Sequence, residues 1–191
     1  MLYKYTIIIC ICFLLISCIK ISTIPYRVGN PYGARVAYGE GKHPGIDYDI
    51  PAGTPIIAAA DGIIVHIGDP CGGEWWCGGR TVWIGHMEFF TGYSHLKKVL
   101  VKRHQRVKRG ELIGLSGASN NGYEHLHYGV IQIGGMGRYY SQTYNPNDFW
   151  LNGEAKCYDP KEDYSKYTAQ DLTFPVACGE YRETLLSKLK K

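Results

Sequence analysis

Long apolar runs are what this chain of 191 residues has least of. Its clearest one, Ile7 to Ile16, is about ten residues, half of what a membrane-spanning helix requires. Sustained 3.6-residue periodicity is also missing, which argues against a helical bundle. Charge of one sign is modest: the formal net charge is +4, and a leader carrying Lys4 takes one away, leaving +4 − 1 = +3. The densest basic stretch, LKKVLVKRHQRVKRG (96–110), sets valine and leucine between its charges and has no aromatic residue. Base stacking has no platform there, so the composition argues against a nucleic-acid partner. The stretch reads first as a solvated strand-and-turn face, and second as a surface attracted to an anionic polymer such as cell wall. Past residue 18, Cys71, Cys77, Cys157 and Cys178 show no C-x-x-C pair, which argues against a four-cysteine zinc site. No internal sequence repeat is visible.

What is present begins with the leader. The apolar run has the length of a signal-peptide core and closes on Leu15-Ile16-Ser17-Cys18, similar to a bacterial lipobox. Residues 1–17 are expected to be a lipoprotein signal peptide, leaving Cys18 to carry lipid and anchor the chain to a membrane. Ile19, rather than Asp, follows Cys18; by resemblance to sorting in diderm bacteria, this points to a periplasmic protein on the outer membrane. Four cysteines after an export signal read as two disulfides, with sequence proximity favouring Cys71–Cys77 and Cys157–Cys178. Their loop lengths correspond to roughly 2.4 and 3.4 kcal/mol of chain-entropy stabilisation.

Twenty-four glycines and sixteen tyrosines point to many short strands joined by tight turns, an all-β domain. Strands are expected at 45–50, 54–60, 62–68, 80–87, 91–96, 111–117 and 125–134. Turn chemistry lies between them at Pro51-Ala52-Gly53, Asp61-Gly62, Gly78-Gly79 and Lys108-Arg109-Gly110. Residues 18–37 read as an extended lead-in after Cys18. The segment 155–191 reads as a disulfide-pinned C-terminal extension whose end, YRETLLSKLKK, fits a short helix.

Three stretches carry chemistry. His43 and Asp47 flank Pro44-Gly45, which oppose a helix, so an extended or turned segment can return both to one side. His125 and His127 stand one residue apart and share a strand face. His95 stands alone in Gly92-Tyr93-Ser94-His95-Leu96. Imidazole and carboxylate together are typical zinc donors.

HPGIDYDIPAGTPIIAAADGIIVHIG, GYSHLKKVLV and RVKRGELIGLSGASNNGYEHLHYGV resemble, in order, the three sequence blocks of the lysostaphin/LytM-type zinc metallopeptidases, bacterial peptidoglycan endopeptidases. The resemblance runs from about Tyr38 to Gly134, with TYNPNDFWL echoing the family's terminal Asn-Pro segment. It implies a barrel-sandwich hybrid fold of short antiparallel strands, with 38–154 as the catalytic domain. It implies one zinc ion on His43, Asp47 and His127, with an open position for water, and His95 and His125 as catalytic groups off the metal. Tyr38 becomes a further oxyanion donor. The implied partner is the cross-linked peptide of peptidoglycan, cut by a monomer. The alternative is a non-catalytic relative that binds peptidoglycan or regulates a wall hydrolase. Loss of ligands would mark it, and none is lost here. His66 and His104 carry no implied metal role, and His86 a structural one. Two departures bear on substrate: Glu124 stands where the family usually has proline, to shape preference or pair with a lysine, and Trp75 and Trp76 lie between Cys71 and Cys77, to pack or to line the cleft rim.

Overall fold

The computed structural model describes residues 24–68, 79–135, 137 and 139–190. The expected signal peptide, Cys18, the Cys71–Cys77 pairing, Trp75 and Trp76 lie outside these. The described strands are β1 (Arg27–Val28), β2 (Ile46–Asp49), β3 (Pro55–Ile57), β4 (Gly62–Gly68), β5 (Arg80–Gly85), β6 (Phe89–Val99), β7 (Arg106–Val107), β8 (Leu112–Ala118), β9 (Glu124–Gln132) and β10 (Thr143–Tyr144). They form an antiparallel sheet in the order β1-β2-β9-β8-β6-β5-β4-β7, with β10 on β9 and β3 on β8. The sheet is folded but open, not a closed barrel. Among the described residues one α-helix, α1 (Gly179–Leu189), follows, after three single-turn 3₁₀ segments.

The seven expected strands are all present, most of them trimmed by a residue or more. The two-residue strands β1, β7 and β10 are too short to show a period of two. Expected strand 91–96 extends to Phe89–Val99, because its ladder changes partner midway. β6 pairs with β9 from Phe89 to Ser94 and with β8 from Leu96 to Val99. Against β5 the step from Arg80 to Val82 faces the longer step from Leu96 to Tyr93, a bulge on β6. His95 sits on that bulge with φ of 62°. Left-handed backbone costs a non-glycine residue roughly 1–2 kcal/mol, and bulges re-aim side chains. The strain is stored where His95 turns towards β9. His104, in the turn before β7, also adopts positive φ, at 68°.

The core holds Ile46, Tyr48, Ile56, Ile64, Val82, Ile84, Tyr93, Leu96, Leu126, Tyr128 and Val130, all essentially inaccessible. The tail is not a peripheral flap. Leu172, Phe174 and Val176 are completely buried in the same core. Their backbone runs beside the edge of β3 that β8 leaves open, with Ile57 N–H donating to Pro175 O (2.9 Å) and Ala177 N–H to Pro55 O (3.1 Å). Arg109, buried, donates to the carbonyls of Ala59 (2.8 Å), Asp171 (2.5 Å) and Thr168 (3.0 Å), clamping the tail to the sheet. The Cys157–Cys178 disulfide closes this segment.

Candidate metal centre

β2 and β9 lie side by side with Asp47 directly opposite His127. Ser94, beside His95, is opposite His127 on the other edge of β9. Three strands thus deliver Asp47, His95, His125 and His127 to one place, and the Pro44-Gly45 turn brings His43 to them. Gly45 makes room: a Cβ there would run into Tyr128 O and lie 2.9 Å from His127 Nε2.

His43 Nε2, His127 Nδ1 and Asp47 Oδ1 form a small triangle. The sides are 3.0 Å between the nitrogens, 2.8 Å from His127 Nδ1 to Asp47 Oδ1, and 3.1 Å from His43 Nε2 to Asp47 Oδ1. One ion reaches all three corners at the roughly 2.0–2.2 Å usual for zinc with nitrogen and oxygen donors. The donor set fits: His43 places Nδ1 on Pro31 O (3.2 Å), so its Nε2 lone pair faces the triangle. His43 and Asp47 are almost wholly buried, which keeps competing water away. Among the described residues, this trio is the group of histidine, cysteine and acidic side chains able to hold a metal.

Burial alone would raise the Asp47 pKa, but hydrogen bonds from His127 and His43 hold its carboxyl far below the usual carboxylate range. Burial lowers His127, against the opposing pull of Asp47, which favours the neutral ring that a metal needs. His125 stands outside the triangle. Its Nδ1 donates to Tyr123 O (2.9 Å), leaving Nε2 as an acceptor 3.7 Å from Asp47 Oδ1. The Tyr123 ring stacks on it at 4.4 Å, and the His95 ring lies 4.3 Å away on the other strand. Tyr38 is half-buried, and burial together with the Asp47 charge pushes its phenol well up, so it keeps its proton. The five expected histidine and aspartate residues therefore converge, with Tyr38 within electrostatic reach.

Glu124 is exposed and accepts a hydrogen bond from the Ala52 amide (2.9 Å), bracing the Pro51-Ala52-Gly53 turn rather than pairing with a lysine. Sequence reading missed the upstream partners of the triangle, Asn30 and Pro31. Asn30 Nδ2 donates to Asp47 Oδ2 at 2.9 Å.

His86 is structural. Its Nδ1 donates to Asp61 O (2.8 Å) and its Nε2 accepts from the Thr91 hydroxyl (3.0 Å). Burial lowers its pKa to about 4. The unfolded chain therefore binds this proton between about pH 6.5 and pH 4 while the fold refuses it, so stability falls as pH drops through that window. The loss is about 3 kcal/mol. Urea unfolding of the parent and of His86→Gln across the window checks this: the parent should lose more, and parallel curves would contradict it.

An open antiparallel β protein built round a three-donor, ion-sized centre defines the class. The profile of Peptidase family M23 matches residues 41–145, and the chain belongs to that family. It is 46% identical over 90 residues to a metalloprotease of Haemophilus influenzae, covering 45% of this chain and 18% of that one. It is 40% identical over 110 residues to the peptidoglycan DD-endopeptidase ShyA of Vibrio cholerae, covering 55% and 23%. It is 35% identical over 105 residues to the lipoprotein YgeR of Escherichia coli, covering 54% and 39%. The chain spans less than a third of the length of the first curated relatives it matches. The solved catalytic domain of lysostaphin from Staphylococcus simulans aligns with a TM-score of 0.53 at 28% identity, over 63% of this chain and 89% of that one. A zinc-containing peptidase from Vibrio cholerae aligns at 0.50 and 27% identity, over 63% and 36%.

Proposed function

We propose that this protein is a zinc-dependent endopeptidase that hydrolyses the peptide cross-links of bacterial peptidoglycan. The observation that carries this reading is the triangle of His43 Nε2, Asp47 Oδ1 and His127 Nδ1 with the His125 acceptor beside it. Family membership and the similarity to ShyA and lysostaphin supply the substrate class.

In this reading His43, Asp47 and His127 hold the ion. Zinc bound there supplies Lewis-acid polarisation of the scissile carbonyl and lowers the pKa of the attacking water. His125 Nε2 is the general base: its other nitrogen is committed to Tyr123 O, so the ring is fixed in the accepting tautomer. The proton it takes is then available to the leaving amine. His95, aimed from the bulge on β6, and Tyr38, which keeps its hydroxyl proton, donate to the developing oxyanion. Asp47, buried and anionic, balances positive charge at the centre.

The lipid anchor at Cys18 belongs to the same proposal. A tether holds the enzyme against the wall it cuts, and the similarity to a lipoprotein supports it. One acyl chain alone anchors only marginally, so more than one is implied. Ile19, in place of Asp after Cys18, supports placement on the outer membrane.

Digestion of purified sacculi followed by mass analysis of the released muropeptides tests the reaction class. Cross-link hydrolysis turns dimers into monomers with the gain of one water. Release of intact dimers would mean that the protein cuts glycan strands or acts elsewhere.

A further inference from the structure

The stretch ahead of the matched family region does more than lead into the domain. Residues 29–34 lie outside the match, which begins at residue 41, yet they wrap both acidic and imidazole donors. Gly29 N–H donates to Asp47 O (2.8 Å) and Asp47 N–H donates to Asn30 O (2.9 Å). Gly33 N–H donates to His43 O (2.9 Å) and His43 N–H donates to Ala34 O (2.8 Å). Two more bonds act on the donor side chains themselves: the Asn30 amide on Asp47 Oδ2 (2.9 Å) and His43 Nδ1 on Pro31 O (3.2 Å). A Cβ at Gly29 would meet the Asp49 carboxylate and the Tyr123 hydroxyl, the movable ends of two side chains.

We propose that residues 29–34 form a strap belonging to the metal centre, and that Asn30 is a positioning residue deciding which oxygen of Asp47 faces the ion. The inference rests on the metal-binding reading of the site. A carboxylate has two equivalent oxygens and can rotate. The Asn30 N–H occupies Oδ2, so Oδ1 stays in the triangle with His43 and His127. Partners of this kind orient a metal's donors, and their removal typically costs about 10–100-fold in metal affinity. Asn30 is exposed, so removing its side chain opens no core cavity. Asp47 is 3% exposed with the Asn30 side chain in place.

The test is zinc affinity of the purified full-length protein, measured by competition with a chromophoric chelator, alongside melting of each metal-free variant. Asn30→Ala is expected to weaken zinc binding by about 10–100-fold while the metal-free melting curve moves little. Asn30→Asp keeps the shape but sets a second carboxylate against Asp47, so its loss should be larger. It also serves as the second variant if Asn30→Ala folds poorly. Arg27→Ala removes an exposed ion pair to Asp49 on the same lead-in and should leave zinc affinity unchanged. Zinc affinity of both Asn30 variants within about twofold of the parent would overturn the proposal while leaving the metal centre intact. A parent that binds no zinc would bring down the metal-centre reading itself, and the strap with it.

Discussion

His125→Ala is expected to lower turnover on peptidoglycan by about 10²–10⁴-fold while zinc stays bound, whereas His127→Ala loses metal and activity together. The two histidines share a face of β9 but not a role. His127 Nδ1 is a corner of the triangle, 2.8 Å from Asp47 Oδ1 and 3.0 Å from His43 Nε2. His125 Nε2 stands back at 3.7 Å from the same oxygen, its ring pinned by Tyr123 O and stacked against the Tyr123 ring. Removing His127 takes one of three donors, and two donors do not make a tight zinc site. Removing His125 leaves the triangle whole and takes only the proton acceptor. Zinc stoichiometry measured on the same samples as the rates separates the cases. A His125→Ala protein that purifies without zinc would show that His125 holds the metal.

Gly45→Ala is expected to be the most damaging small substitution. The φ of Gly45 is not positive, so the effect is one of space. The added methyl would strike Tyr128 O and press on the His127 ring, 2.9 Å from both Cε1 and Nε2. Either β2 moves off β9 or the imidazole swings out of the triangle. Overpacking of this kind costs typically about 1–3 kcal/mol of stability. A displacement of about 1 Å at a reacting centre costs about 10²-fold in rate, so activity should fall by at least that much. Chelator competition and thermal melting check the two effects separately. An alanine variant with parental rate and parental zinc affinity would mean that the site tolerates the shift.

Residue type and spacing singled out the five central residues, His43 and Asp47 across Pro-Gly, His125 and His127 on alternate strand positions, and His95 between, but their expected roles came from the family resemblance. The strand pattern was legible where glycine and turn residues bound an apolar run of several residues, as at Gly62–Gly68, which matches its expected bounds. What supports the donors was not legible. Asn30 and Pro31 act from a separate segment through one amide and one carbonyl, and nothing in Gly29-Asn30-Pro31-Tyr32-Gly33 distinguishes a metal strap from an extended lead-in. The left-handed turn at His95 has no sequence mark either, since the bulge arises when β6 trades β9 for β8. The buried tail was hidden for a similar reason. Leu172, Phe174 and Val176 alternate over too few positions to read as a strand, yet they close an open edge of the sheet.

The most direct test of the central claim is conversion of peptidoglycan dimers to monomers by the purified protein, first stripped of metal with a chelator and then restored with zinc. The stripped protein should convert none, zinc should restore conversion, and His127→Ala should stay inactive in both states. Cutting that persists in the metal-free protein, or in His127→Ala, would contradict the account.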